Sequence, residues 1–430
     1  MATEVRALGV VELTAISLGG MIGGGIFSIL GLAAQEAGNA APVGIAIGAV
    51  LAFFAAYPYV QLARCFQEEG ATYSFFKRAF PTARRLAAAI GWLVVFGYIC
   101  TLALYAYTFA SYAASILPWA QGAAGHLGLA CVIVASLTAL NLISVRWTGK
   151  LEDLFVYAKL VALVMVGAVL LLQGEPARAW PLDRSTTWLD LVDVAALTFV
   201  AFEGFQLAIH AFEEADDPVR NVPRAIYLSV AIAGSIYVLI AVGAIMTAPL
   251  DVIVRDKEFA LAAAASATLG SGGHALVLVG ALLATGSAIT GTLFGASRLM
   301  AVIADDGYLP SLLRRRIHGH TPSAALVVMA VAALAIVATG GLELIVEFGS
   351  LTFILVSLVI AVANLKVCGE ARSSRALSLT CVLALSAAAV MLLRFQATHD
   401  PTRLITTSVA MVTLLGLALA FASWRARADA

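Results

Sequence analysis

The sequence predicts an all-α integral membrane protein, organised as one transmembrane domain over residues 1–430. Three observations predict it. Of the 430 residues, 61% are apolar and 12% are charged, whereas soluble domains run about 45–50% apolar and about 25% charged. Apolar stretches of about 20 residues, the length that crosses a bilayer as a helix, recur from end to end. Lysine and arginine gather in alternate connections between them, the asymmetry that orients membrane helices.

Taken in order, the length rule gives twelve spans: roughly 10–36, 42–65, 86–117, 126–145, 151–173, 190–213, 223–247, 274–303, 323–339, 342–366, 376–395 and 403–424. The stretch 256–270, DKEFALAAAASATLG, is too short and too alanine-rich to span, and a surface helix on a long loop is expected there. With the N-terminus inside, 19 of the 26 lysines and arginines fall on the cytoplasmic side, among them Arg6, Arg146, Lys150 and Arg427. Six, including Arg184, Arg394 and Arg403, fall on the other side, and Lys159 alone stays within the bilayer. Both termini are therefore expected in the cytoplasm. Arg6 precedes an apolar run that could pass for a signal peptide, but the spans that follow favour a retained first helix.

Composition also excludes several functions. Net charge is zero, with no basic stripe for nucleic acid. The five cysteines are scattered without a CxxC pair, so neither a disulfide framework nor a zinc site is expected. The six histidines, His318 and His320 included, are dispersed. No HExxH, phosphate loop or nucleophile–base pair is present, which argues against a membrane enzyme. No cofactor, resident metal or obligate protein partner is implied.

Two spans look interrupted, the best pointer to a binding site in a secondary transporter. Span 1 carries Gly19-Gly20-Met21-Ile22-Gly23-Gly24-Gly25-Ile26-Phe27. Each interior glycine costs a helix about 1 kcal/mol relative to alanine, so a break near Gly23–Gly25 is expected, with a small-residue packing face as the alternative. Span 6 carries Phe202-Glu203-Gly204 at mid-depth, where a carboxylate beside a glycine makes sense only against a cavity or other protein.

Three patches resemble the amino acid–polyamine–organocation transporters. Gly23-Gly24-Gly25-Ile26-Phe27 is similar to the family's G-x-G-I-F. Glu213-Glu214-x-x-x-Pro218-x-Arg220-Asn221-x-Pro223-Arg224-Ala225-Ile226 resembles its longer motif after span 6, and Asp306-Gly307-Tyr308-Leu309-Pro310 its D-G-x-L-P after span 8. The resemblance implies the leucine-transporter fold: two inverted five-helix repeats, about 10–173 and 190–366, discontinuous helices 1 and 6, and extra helices over 376–424. It implies secondary transport of an amino acid or related amine across the cytoplasmic membrane, by proton-coupled symport or by exchange. A non-transporting receptor is the weaker alternative.

The family's substrate logic has a physical basis. Amides at the start of a second half-helix, with their positive dipole end, attract a carboxylate. Unwound carbonyls suit an ammonium group. The implied substrate site is Ile22, Gly23, Gly24, Gly25 and Ile26 on span 1, with Phe199, Val200, Ala201, Phe202 and Glu203 on span 6; Val200 to Glu203 would offer the carbonyls. Glu203 departs from many relatives. It could hold a cationic substrate, carry a proton, or be a neutral structural carboxyl. Lys159 matches a span-5 lysine of the sodium-independent branch, whose ammonium stands where sodium binds in relatives. Ser287 and backbone around Gly20 or Gly23 would complete its pocket, and a permanently charged structural lysine is the alternative. Phe202, Phe205, Glu213 and Arg220 are gate candidates, the last two as an ion pair, with plain packing and a solvated loop as the alternatives.

Overall fold

The structure, a computed structural model, describes residues 8–68, 71–143, 145–183, 185–316 and 322–428. Arg6, Arg184, His318 and His320 lie outside the described residues, as do the side chains of Arg146, Lys150 and Arg427.

The described residues form helices joined by turns, with an isolated parallel bridge between Leu8 and Ala215. In chain order the helices are α1 Val10–Met21, α2 Gly25–Ala37, α3 Ala41–Phe66, α4 Ala71–Ala79, α5 Arg84–Ala114, α6 Ala123–Ile143, α7 Val145–Gln173 and α8 Pro176–Ala179. They continue as α9 Trp188–Leu197, α10 Pro218–Thr247, α11 Leu250–Arg255, α12 Ala260–Asp305, α13 Ser323–Thr339, α14 Leu342–Lys366, α15 Arg375–His399 and α16 Pro401–Ala428. Among the described residues ten helical stretches are long and apolar enough to cross a membrane, and α1 and α13 are shorter apolar helices. Lipid offers no partner for backbone groups, so a chain this apolar satisfies them within helices.

The helices pack around α5, α10 and α12: α12 lies against α5 and α7, α10 against α7, α3 and α1, and α14 against α5 and α15. Burial grades accordingly. The spanning window of α5 is 78% buried and that of α16 is 17% buried, so α16 keeps most of its apolar side chains on the outside of the bundle.

The stretch 256–270 is not a surface helix. Lys257–Phe259 forms a short 3-10 turn, and α12 starts at Ala260 and continues through a kink at Gly270, φ +61°. Ala260, Leu261, Ala262, Ala264 and Ala265 are buried. The preceding backbone presses on α2 so closely that a Cβ on Gly31 would lie 2.4 Å from Lys257 Cα. The alanines that made the stretch look too weak to span are the small side chains that let it pack inward. Another element without a strong sequence signal is α4, whose Tyr73, Phe75 and Phe76 are buried.

Candidate functional site

Helix α1 ends where the glycine run begins. Ile22 caps it, its N–H donating to Leu18 O, and α2 starts at Gly25 with Gly24 as N-cap. The first amides of α2 have no acceptor within their own helix and form its positive end. The missing side chains are also used for packing. A Cβ on Gly23 would lie 2.6 Å from Tyr105 and 2.7 Å from Ala288, one on Gly24 2.7 Å from Thr108 Oγ1, and one on Gly25 2.7 Å from Ala201 Cβ. Ser28, one turn into α2, is hydrogen-bonded to Thr108. The glycines thus break the helix and admit its neighbours at the same positions. Ile22 and Ile26 are fully buried between them.

Span 6 is interrupted differently. After α9 the chain tightens into a 3-10 turn over Thr198–Phe202, extends at Glu203, turns at Gly204 with φ +123°, and resumes as 3-10 helix over Phe205–Ala211. That φ belongs to glycine, and a Cβ on Gly204 would sit 2.6 Å from both Gly20 C and Met21 N. The two interruptions therefore touch backbone to backbone. Ser17 Oγ donates to Phe205 O at 3.0 Å and Tyr105 OH to Gly20 O at 2.8 Å. The Tyr237 hydroxyl lies 2.7 Å from Met21 O and 2.9 Å from Ala201 O, one donor shared between the two broken ends.

These contacts claim two of the four carbonyls expected to be free over Val200–Glu203. Val200 O accepts from Glu203 N–H at 3.2 Å, and Ala201 O faces Tyr237. The 3-10 winding, rather than full unwinding, is the reason. Phe199, Phe202 and Phe205 are fully buried; Phe202 tilts onto Tyr237 with centroids 5.3 Å apart, and Phe205 meets Tyr59 edge-on at 5.4 Å.

Glu203 is 3% exposed. Its Oε2 accepts from Gln206 Nε2 at 3.2 Å, and the same amide donates to Tyr98 OH at 2.9 Å. Glu203 Oε1 and Gln206 Oε1 are buried without a hydrogen-bond donor among the described residues. Two acceptors are thus left facing the interior, where an unmet polar group costs about 1–3 kcal/mol. Gln206 and Tyr98 carry no motif, but a glutamine three residues past Glu203 in an apolar span is a signal for a polar partner.

Lys159 is fully buried. Its Nζ donates to Gly19 O at 2.8 Å and to Ser287 Oγ at 3.0 Å, and the Ser287 hydroxyl in turn donates to Ala284 O at 3.2 Å. The carbonyl is Gly19's; that of Gly20 is taken by Tyr105, and Gly23 lies under the Tyr105 ring. The ammonium therefore ties α7 to the last turn of α1 and to mid-α12.

The expected pairing of Glu213 with Arg220 does not occur. Among the described residues no ion pair joins Glu213 or Glu214 to Arg220 or Arg224, because the left-handed turn at Asp217 restarts the chain as α10 in a new direction. The end of the interrupted segment is held by backbone instead: Leu8 N–H donates to Glu214 O and Asp216 N–H to Leu8 O, each at 2.9 Å.

At the opposite end of the bundle, charges are paired. Arg403 bonds Glu343, reaches Glu347 at 3.2 Å and Asp400 at 2.9 Å, while Lys257 pairs with Glu343. Arg394 pairs with the buried Asp193, and His399 lies 3.5 Å from Glu36. Asp193 and Glu347 lie within apolar spans, the same signal that marks Glu203.

Crossed helix interruptions, a buried ammonium between helices and an all-helical apolar bundle define a multi-pass membrane transporter rather than an enzyme. The chain matches the amino acid permease family over residues 8–424 and belongs to it. It is 29% identical to the inner membrane transport protein YbaT of Escherichia coli, over 72% of either chain. It is 26% identical to the branched-chain amino acid permease BcaP of Bacillus subtilis, over 72% of this chain and 69% of that one. In fold it is similar to a manganese transporter of Eremococcus coleocola, with a TM-score of 0.64 and 13% identity, covering 97% of this chain and 94% of the other.

Proposed function

We propose that the protein carries an amino acid or related amine across the cytoplasmic membrane by proton-coupled symport, alternating access around the crossed interruptions. In this reading the chain makes twelve crossings with both termini inside, as inverted repeats 10–173 and 190–366 followed by two peripheral helices. The substrate carboxylate meets the amides of Gly25 and Ile26 at the start of α2. Its ammonium group meets the acceptors left by Glu203 and its neighbours on span 6, and the gate is formed by Phe202 and Phe205. Relatives that transport amino acids, such as the branched-chain permease, support the substrate class.

The observation that carries the proposal is the Lys159 ammonium, bonded at once to Gly19 of the broken helix and Ser287 of α12. Charged, it links α1 to α12 through one hydrogen bond to each. Neutral, it keeps two N–H donors but loses the attraction that charge adds, a charged hydrogen bond being worth about 1.5–3 kcal/mol against about 0.5–1.5 for a neutral one, so proton loss loosens α1. The proton would thereby be coupled to the movement that opens the site.

The test is uptake in proteoliposomes across a panel of amino acids and polyamines, with a pH gradient, a sodium gradient or neither. Wild-type protein should concentrate substrate on a pH gradient without sodium, and Lys159→Ala should lose that accumulation while still exchanging labelled substrate at equilibrium. Strict sodium dependence, or a Lys159→Ala variant that accumulates normally, would remove the coupling role. Exchange without any gradient-driven uptake would instead favour an antiporter.

A further inference from the structure

Where α5 begins and α12 and α16 end, a cavity of about 720 Å³ opens between the three helices. Its lining includes Arg84, Arg85, Asp305, Asp306, Tyr308 and Arg425. The two aspartates would repel an anion, but each already faces a cation. Asp306 Oδ2 accepts from Lys77 Nζ at 2.7 Å and from Tyr73 OH at 2.6 Å, and Asp305 lies 3.7 Å from Arg316. Burial and the Asp306 carboxylate push the Tyr73 phenol far above its ordinary range, so it remains a donor. With Lys77 and Arg316 offsetting the acids, Arg84 and Arg85 leave the cavity positive.

The rim is apolar and aromatic. Leu86 is 54% and Trp424 61% exposed, and Trp424 continues through Phe421 to Trp92, whose indole N–H donates to Tyr308 O at 2.7 Å. Beyond the rim, α16 exposes Leu417 and Val412 along its outer face. Tryptophan at the end of an apolar helix marks headgroup depth, and guanidinium groups recognise phosphate through paired N–H donors.

We propose that this cavity binds the phosphate of an anionic phospholipid, its acyl chains lying along the exposed apolar flank of α16. A free phosphate would use the same arginines but gain nothing from Leu86 and Trp424, which is why the lipid is the favoured source. Bound there, the headgroup bridges three helices and pins the peripheral α16 to α5 and α12, adding what direct packing of a mostly exposed helix lacks. The proposal rests on the orientation given above only for the leaflet that supplies the lipid. Protease access to a C-terminal tag in sealed vesicles reads that separately.

The experiment is native mass spectrometry of the full-length protein released from mixed micelles containing phosphatidylglycerol and phosphatidylethanolamine. The wild type should retain phosphatidylglycerol in preference to phosphatidylethanolamine. Retention should weaken roughly fivefold for each arginine removed, read on Arg84→Gln, Arg85→Gln and Arg425→Gln. The triple arginine-to-lysine variant, which keeps the charge, should retain more phosphatidylglycerol than any glutamine variant and guards against a folding defect. Excess inorganic phosphate should leave the adduct in place. Equal retention of the two lipids, glutamine variants that bind like wild type, or complete displacement by inorganic phosphate would each overturn the lipid assignment.

Discussion

At the interruption of span 1, three glycines in a row remove side chains, and α5, the span-6 backbone and α12 move into the space they leave. At the interruption of span 6, only Gly204 is side-chain-free, and the chain turns through its positive φ between two 3-10 segments. The first interruption presents amide donors and no ionisable group. The second presents a buried carboxylate with one oxygen unmatched. The two touch through bare backbone. The difference teaches that a spanning segment can be interrupted in two ways: by a run of glycines whose absent side chains admit neighbours, or by a single positive-φ glycine beside a buried acid.

The largest expected effect is at the contact itself. Gly204→Ala places a Cβ at 2.6 Å from the Gly20 and Met21 backbone on a residue with φ +123°, strain of about 1–3 kcal/mol before any clash. Uptake should fall to background and the yield of monodisperse protein should drop. A variant with normal uptake would mean the interruptions do not meet in the working cycle.

A smaller and more selective effect is expected at the acid. Glu203→Gln keeps the shape and removes the charge, so uptake of lysine, arginine or polyamines should weaken about tenfold or more while that of alanine changes little, a charged hydrogen bond being worth about 1.5–3 kcal/mol. Competition assays on the same vesicles read the ratio. Equal losses for all substrates would assign Glu203 to structure or to proton movement instead.

The smallest effect falls on the shared donor. Tyr237→Phe removes the hydroxyl that lies between Met21 O and Ala201 O and should lower stability by about 1 kcal/mol, read as a lower thermal midpoint in detergent. Since those carbonyls would then be unclaimed, a change in substrate affinity without any loss of stability would show that they belong to the site rather than to the scaffold.

Much of this was legible in the chain. Apolar length located the long helices, because lipid forces backbone groups into helices. The glycine run marked the first interruption, since consecutive glycines weaken a helix wherever they fall. Glu203 and Lys159 stood out as ionisable groups in apolar spans, which need a reason to be there. Tertiary structure alone decided the rest. Which carbonyl Lys159 holds depends on the rotation of α1 against α7, and a one-residue step separates Gly19 from Gly20. Lys257 sits against α2 because Gly31, more than 200 positions earlier, leaves room for it, and the buried residues from Ala260 to Ala265 follow directly after it. Tyr237 reaches both broken ends only once α10 lies across them. Periodicity and composition act along the chain; distances between helices are set by side chains that the chain brings together only on folding.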